Sequence, residues 1–223
     1  MRHMLKLDKI SAESGLLERP LRQLQGFLEM QQLYNGAIRE VTTKIEVLNE
    51  EFQVRHDRNP IHHIESRQKS PQSIVEKLVR KGHPISIEAI RQNLTDVAGV
   101  RVICYYVQDI YRIAELITAQ ADIAVIRQRD YIKNPKPNGY RSLHLVISIP
   151  VFLSTGAESV PVEIQIRTIA MDFWASLEHQ LRYKNDDEVP DDLREELRDC
   201  AENSAKLDLQ MQRLYERIMH HSP

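Results

Sequence analysis

In the segment 162–167, Val-Glu-Ile-Gln-Ile-Arg, a carboxylate, an amide and a guanidinium alternate with two isoleucines. Side chains of an extended strand point to opposite faces in turn. The period of two therefore lines up Glu163, Gln165 and Arg167 on one face, with Ile164 and Ile166 on the other. A polar row of this kind either meets water or equips a site with an acid, an orienting amide and a cation. The stretch 96–101, Asp-Val-Ala-Gly-Val-Arg, adds a second acid, Asp96, ahead of another apolar segment, and a glycine, Gly99, where backbone or ligand can come close. Its Arg101 is followed by Val102, Ile103 and Cys104, which suggest burial, and a buried guanidinium wants a partner. Asp96 and Glu163 together suit Mg²⁺, a hard cation bound through one or two carboxylates plus substrate phosphates. Taken alone, Asp96 also suits a turn or a helix end.

Two clusters of cations offer what phosphates need. Arg67, Lys69, Ser73, Lys77 and Arg80 form the first, and Ser73, Lys77 and Arg80 fall at i, i+4 and i+7, on one face of a helix. A solvated basic helix face has the same composition. No G-x-x-x-x-G-K-[ST] stretch exists, so a P-loop is not the cradle. In the second cluster Arg127, Arg129, Lys133, Lys136 and Arg141 surround the loop 134–140, Asn-Pro-Lys-Pro-Asn-Gly-Tyr. Proline and glycine hold the loop, and Tyr140 offers a flat ring on which a base can stack, through a π-face that phenylalanine would share. The plainer alternative is a hairpin-like connection with a basic surface. Two cation clusters with two candidate metal acids point to an enzyme with two nucleotide substrates.

The elements that must position these residues follow from periodicity. From about Pro20 to Phe52, Leu24, Leu28, Ile38, Val41, Ile45, Leu48 and Phe52 recur at three- and four-residue steps, an amphipathic helix interrupted by Gly26 and Gly36. A second helix is expected over 71–81, opened by Pro71 and ended by Gly82. Segments 99–106, 124–132, 140–151 and 160–168 are rich in β-branched and aromatic residues and read as strands, with a helix over 107–120. Helices over 168–184 and 191–219 close the chain. The expectation is an α/β (α+β) fold, a mixed sheet of about five strands flanked by helices, with long N- and C-terminal helices. It divides into a helical region at 1–60, a catalytic core at 61–184 and a C-terminal helix at 185–223. In that last helix Leu193, Leu197, Cys200, Ser204, Leu207, Met211, Leu214 and Ile218 form a seam that either packs on its own domain or pairs with another subunit.

The remaining composition excludes several classes. With 223 residues, 42% of them hydrophobic and 28% charged, the chain is ordinary globular material, and its net charge of −2 argues against a non-specific nucleic-acid binder. There is no membrane-length apolar run and no cleavable leader, so a cytoplasmic protein is expected. Cys104 and Cys200 read as small buried hydrophobes rather than a disulfide. The adjacent pairs His62-His63 and His220-His221 lack a zinc ligand set, and His56-Asp57 has no partners in sequence.

From about Glu65 to Lys184 the chain resembles the synthetase domain of the RelA/SpoT homologues, and within it the small single-domain alarmone synthetases of the RelP and RelQ type. The resemblance rests on four motifs in order: ESRQKSPQSIVEKLVRKG, TDVAGVRV, QRDYIKNPKPNGYRSLH and VEIQIRTIAMDFWASLEHQLRYK. It implies a nucleotidyltransferase-like fold, an Mg²⁺ cofactor, ATP and GDP or GTP as substrates, a homotetramer, and a product that serves as alarmone in the stringent response. Arg67 and Arg101 then sandwich adenine, with Lys69, Ser73, Lys77 and Arg80 on the phosphates of ATP. Asp96 becomes the principal Mg²⁺ ligand. Tyr140 stacks on guanine, Arg129, Lys136 and His144 reach the guanosine phosphates, and Glu163 serves as general base or second metal contact with Gln165 orienting. Asp172, at a position where relatives carry asparagine or histidine, would read guanine N1–H and N2–H, or else simply occupy the first turn of a helix. The long relatives carry a hydrolase domain for which this chain has no room.

Two other functions share these features. A nucleotidyltransferase would attach AMP rather than release it. An RNA-binding module would use the basic loop and Tyr140, but Asp96 and Glu163 would repel phosphates without a metal.

Overall fold

The structure, a computed structural model, describes residues 2–56, 58–184 and 190–221. One long helix, α1 (Arg2–His56), leads into strand β1 (Ile61–Gln68), followed by α2 (Pro71–Arg80) and α3 (Ile87–Asn93). Then come β2 (Ala98–Cys104), α4 (Val107–Thr118), β3 (Ala124–Asp130), β4 (Leu143–Leu153) and β5 (Gly156–Thr168). Helices α5 (Ile169–Lys184) and α6 (Asp191–His221) end the chain.

The strands form one mixed sheet in the order β1-β2-β5-β4-β3, in which β2 and β5 run parallel and the other neighbours antiparallel. Alternation divides its two faces. Val100, Val102 and Cys104 of β2, Ile164 and Ile166 of β5 and Leu145 and Ile147 of β4 are buried in one cluster. Met30, Tyr34, Ala37, Val41 and Ile45 of α1 and Ile110, Ile113 and Ile117 of α4 join the same cluster. Each fully buried aliphatic side chain is worth roughly 1.5–3 kcal/mol, and a one-residue slip of β5 would exchange Ile164 and Ile166 for Glu163 and Gln165. The apolar face therefore fixes the register that presents the polar one. Gly36 lets α1 press close to the sheet, since a Cβ there would lie 3.0 Å from Val151 Cγ1.

The expected mixed sheet of about five strands with long terminal helices is what forms. Its edge strand β1 escaped the sequence reading, because His62, His63, Glu65, Ser66 and Arg67 are exposed and carry no apolar alternation. Helix α3 was also unread; it is seven residues long and is capped by the Ser86 hydroxyl, which accepts from Ala89 N. The strand expected from 140 begins at Leu143. Residues 136–140 instead close a turn, with Gly139 N bonded to Lys136 O at 2.8 Å and Lys136 N to Tyr140 O at 3.1 Å. Strand β5 begins earlier than expected, at Gly156, where φ of +129° suits glycine at the end of the β4–β5 hairpin.

Helix α6 departs from expectation at Cys200, and most of its apolar seam faces away from its own domain. Cys104 is buried, but Cys200 is exposed. The contact of α6 with its own domain runs through Ala201, Ser204 and Asp208, with the Leu197 carbonyl accepting from Trp174 Nε1 and Tyr215 stacked on Tyr106; of the expected seam, Leu197 and Ser204 take part. Leu193, Leu207, Met211, Leu214 and Ile218 lie between 41% and 62% exposed on the outer side. The region 185–189, where the core was expected to hand over to the last helix, lies outside the described residues.

Candidate active site

Pairing places two rows of side chains across the polar face of the sheet. One runs Arg67–Gly99–Glu163–Val146–Arg127, and the next runs Glu65–Arg101–Gln165–His144–Arg129. Gly99 leaves a gap in the first row between Arg67 and Glu163. Over that gap lies a cleft of about 260 Å³ whose lining includes Arg67, Lys69, Ser73, Asp96, Arg101, Glu163 and Gln165. The alternation read in β5 and the acid read ahead of β2 thus meet in one place.

On the β1–α2 side the cations converge on Asp96. The Ser70 hydroxyl caps α2 by accepting from Ser73 N, and Pro71 sits in its first turn, so the helix aims Ser73 and Lys77 at the cleft. Lys77 Nζ lies 2.6 Å and Lys69 Nζ 2.7 Å from the same oxygen, Asp96 Oδ2. Burial pushes the Asp96 carboxyl up, but hydrogen bonds and charge from the two lysines outweigh it and hold the group below its usual value. Asp96 Oδ1 is buried with no partner. Arg101 Nη1 contacts Glu65 Oε2 at 2.8 Å and Asp172 Oδ1 at 3.6 Å. Arg67 is exposed at the cleft mouth, whereas Arg80, one turn beyond Lys77, is exposed and outside the lining.

On the β4–β5 side the polar groups bond to one another. Glu163 takes a hydrogen bond at Oε2 from Gln165 Nε2, at 2.9 Å, and faces His144 Nδ1 with Oε1, at 3.5 Å. Burial raises the Glu163 carboxyl, while His144 and Gln165 bring it back down, to a net position below the usual value. His144 Nε2 lies 2.8 Å from the Tyr140 hydroxyl, and Arg167 Nη2 donates to that hydroxyl at 2.6 Å and to Gln165 Oε1 at 2.7 Å. Arg167 Nη1 reaches Asp172 Oδ1 at 3.2 Å, in the first turn of α5. Lys136 Nζ stands 4.5 Å from the Tyr140 ring centre and 4.8 Å from that of Tyr131. Arg129 is exposed and donates to the Tyr131 hydroxyl at 3.3 Å.

Of the residues singled out in sequence, Arg67, Lys69, Ser73, Asp96, Arg101, Glu163 and Gln165 line one cleft. Lys77 joins them through Asp96, and Tyr140 and His144 through Glu163 and Arg167. Arg129, Lys136 and Asp172 stand around Tyr131, Tyr140 and Arg167, while Arg80 lies apart. Arg167 was visible as the third polar residue of β5, but nothing in the sequence indicated that it joins Tyr140, Gln165 and Asp172. Arg127 also reaches the site, donating to Thr95 Oγ1 at 3.2 Å beside Asp96.

No group of three or more His, Cys, Asp and Glu side chains is arranged to hold a metal by itself among the described residues. That suits an ion whose remaining ligands arrive with a substrate. Asp96 Oδ1, buried without a hydrogen-bond partner, and Glu163 in the same cleft are the oxygens that could take such an ion.

Residues 66–188 match the region found in RelA / SpoT proteins. The chain is 46% identical over 179 residues to the GTP pyrophosphokinase YwaC of Bacillus subtilis, spanning 80% of this chain and 85% of that protein. It is 38% identical over 179 residues to the GTP pyrophosphokinase YjbM of the same organism, spanning 80% and 83%. The fold superposes on small alarmone synthetase 1 from Bacillus subtilis bound to its product pppGpp, with a TM-score of 0.80, 35% identity, and coverage of 87% of this chain and 98% of that one. Against the same synthetase bound to AMPCPP the TM-score is 0.75 with 32% identity, covering 88% and 99%.

Proposed function

The chain belongs to the RelA/SpoT family, and from that premise we propose that it is a (p)ppGpp synthetase, moving the β,γ-pyrophosphate of ATP to the 3′-hydroxyl of GDP or GTP. One observation carries the reading to the level of residues. Asp96 and Glu163 line a single cleft, with phosphate-suited cations on one side and Tyr140 linked to the other through His144 and Arg167.

ATP enters on the β1–α2 side. Arg67 and Arg101 offer guanidinium planes to adenine, and Lys69, Ser73 and Lys77 turn to its phosphates, with Arg80 completing the basic face of α2. Asp96 Oδ1, with Glu163 as a second contact, would hold Mg²⁺ together with phosphate oxygens, and the ion would supply charge neutralisation to the transferred group. The guanosine nucleotide stacks on Tyr140, with Lys136 and Arg129 toward its 5′-phosphates and Asp172 near the base. Glu163 accepts the 3′-hydroxyl proton as the oxygen attacks the β-phosphorus; the bond from that phosphorus to the α,β-bridging oxygen breaks and AMP leaves. Alignment and charge neutralisation account for most of such a transfer, so no covalent nucleophile is needed. The cytoplasm is the compartment where both substrates are at hand.

The apolar outer side of α6 has the spacing of a helix-pairing surface, and we assign it to contact between copies of this chain, in keeping with the homotetramer that the family resemblance implies. No helix among the described residues is long and apolar enough to cross a membrane.

Incubating the protein with ATP, Mg²⁺ and GDP or GTP and resolving the nucleotides tests the activity. AMP and a 3′-pyrophosphorylated guanosine nucleotide are expected in equal amounts. Release of pyrophosphate with AMP attached to an acceptor would mean nucleotidyl transfer instead.

A further inference from the structure

We propose that Arg167 and the Tyr140 hydroxyl are positioning residues, which together fix the tautomer of His144 and the amide orientation of Gln165 and so hold both oxygens of Glu163. The inference rests on the pyrophosphate-transfer reading, in which Glu163 takes the proton. It starts from a closed ring of contacts: Glu163–His144–Tyr140–Arg167–Gln165–Glu163.

A guanidinium has donors only. Because Arg167 Nη2 lies 2.6 Å from the Tyr140 oxygen, that oxygen accepts from the guanidinium and its proton is free to turn to His144 Nε2 at 2.8 Å, while the Glu163 carboxylate, which only accepts, calls for a proton on Nδ1. A ring nitrogen that accepts carries no proton, so a neutral His144 has its proton on Nδ1, the nitrogen facing Glu163 Oε1 at 3.5 Å. The second arm works by the same rule. Arg167 Nη2 stands 2.7 Å from Gln165, which must therefore present its oxygen there and turn Nε2 to Glu163 Oε2, 2.9 Å away. One buried guanidinium thus settles two choices that imidazole and amide geometry leave open.

Arg167 is only 5% exposed, and its charge is met by Asp172 at 3.2 Å, so the group is held rather than solvated. A lysine carries its donors on one tetrahedral nitrogen and cannot span the hydroxyl, the amide and the carboxylate as the planar fork does. The same ring ties Tyr140, whose face is offered to guanine, to the carboxylate that acts on the sugar. His144 accordingly turns Nδ1 to the base rather than reaching toward a phosphate. The Tyr140 hydroxyl has a task that its aromatic face does not, which revises the sequence reading that phenylalanine would serve as well.

The test compares the parent enzyme with Arg167→Lys, Tyr140→Phe and the double variant, in steady-state synthesis from ATP and GDP and by ¹⁵N NMR of labelled histidine. A general base contributes about 10²–10⁴-fold, so loosening it is expected to lower kcat by roughly tenfold or more in each single variant, with the KM for ATP near the parent value. The double variant is expected to lose little beyond the worse single one, because both open the same ring. In the parent, His144 is expected as the Nδ1–H tautomer, with that preference lost in both variants. Tyr140→Phe removes one oxygen and keeps the ring's shape, so it carries the test if Arg167→Lys does not fold.

Parent-like kcat in Tyr140→Phe, losses that multiply in the double variant, or an Nε2–H tautomer in the parent would each overturn the proposal. A parent enzyme that makes no pyrophosphorylated product would sink the synthetase reading itself. An active parent with indifferent variants would sink only the positioning role.

Discussion

The two walls of the cleft hold their carboxylates by different means. Asp96 and Glu163 are both partly buried, and burial pushes both toward the protonated form, yet both end below the ordinary carboxylate value. At Asp96 two lysine ammonium groups do this, both on Oδ2, leaving Oδ1 without a partner. At Glu163 an imidazole and an amide do it, each fixed in turn by Tyr140 or Arg167. Lysines that must pass to incoming phosphates need a partner they can leave. A base that must meet one hydroxyl at one angle needs partners that do not leave. On the proposed assignment, the ATP wall is thus poised to exchange contacts and the guanosine wall to keep them.

The largest effect is expected where the locked wall does its chemistry. Glu163→Gln keeps the shape and loses the basic carboxylate, so kcat should fall by about 10²–10⁴-fold with the melting temperature little changed. Near-parent turnover would remove Glu163 from catalysis.

Gly139→Ala probes how far that wall depends on its backing. Gly139 has φ of +89°, and a Cβ there would stand 2.5 Å from the Ala201 Cβ of α6. The loop must move and carry Tyr140 with it, so the KM for GDP should rise roughly tenfold, at a price of about 1–3 kcal/mol in stability. Unchanged KM and stability would mean that Tyr140 is held independently of α6. The smallest effect on chemistry is expected from charging Leu207 and Leu214 together. These outer-face residues should shrink the particle in solution, seen by light scattering, while each remaining protomer still binds ATP. A parent protein that is already a folded monomer would remove the premise.

Much of the site was legible because β5 announces itself. Glu163, Gln165 and Arg167 could be put on one face from alternation alone, and the acid of the Asp96 segment could be paired with them through metal chemistry. The cations of α2 were legible from helical spacing and Pro71. Strand β1 was not, since an exposed edge strand has no apolar alternation to betray it, and it carries Arg67 and Glu65 to the cleft mouth. Nor was the ring around Arg167, because it joins positions 140, 144 and 163–167 through cross-strand register, which no local pattern encodes. In α6 most of the heptad seam points outward; Ala201, Ser204 and Asp208, small or polar side chains that a hydrophobic scan passes over, make much of the inward contact, together with Tyr215 stacked on Tyr106.

The difference between the walls is tested most directly by crossing two substitutions with two substrates, measuring initial rates of Arg101→Ala and Tyr140→Ala over full concentration ranges of ATP and GDP. Losing a stacking plane costs about 1–3 kcal/mol, so each variant should raise one KM by roughly five- to a hundredfold. Arg101→Ala is expected to act on ATP and Tyr140→Ala on GDP, each leaving the other substrate nearly unaffected. Equal effects on both substrates in both variants, or a crossed pattern in which Tyr140→Ala spoils ATP and spares GDP, would contradict the assignment of one wall to each nucleotide.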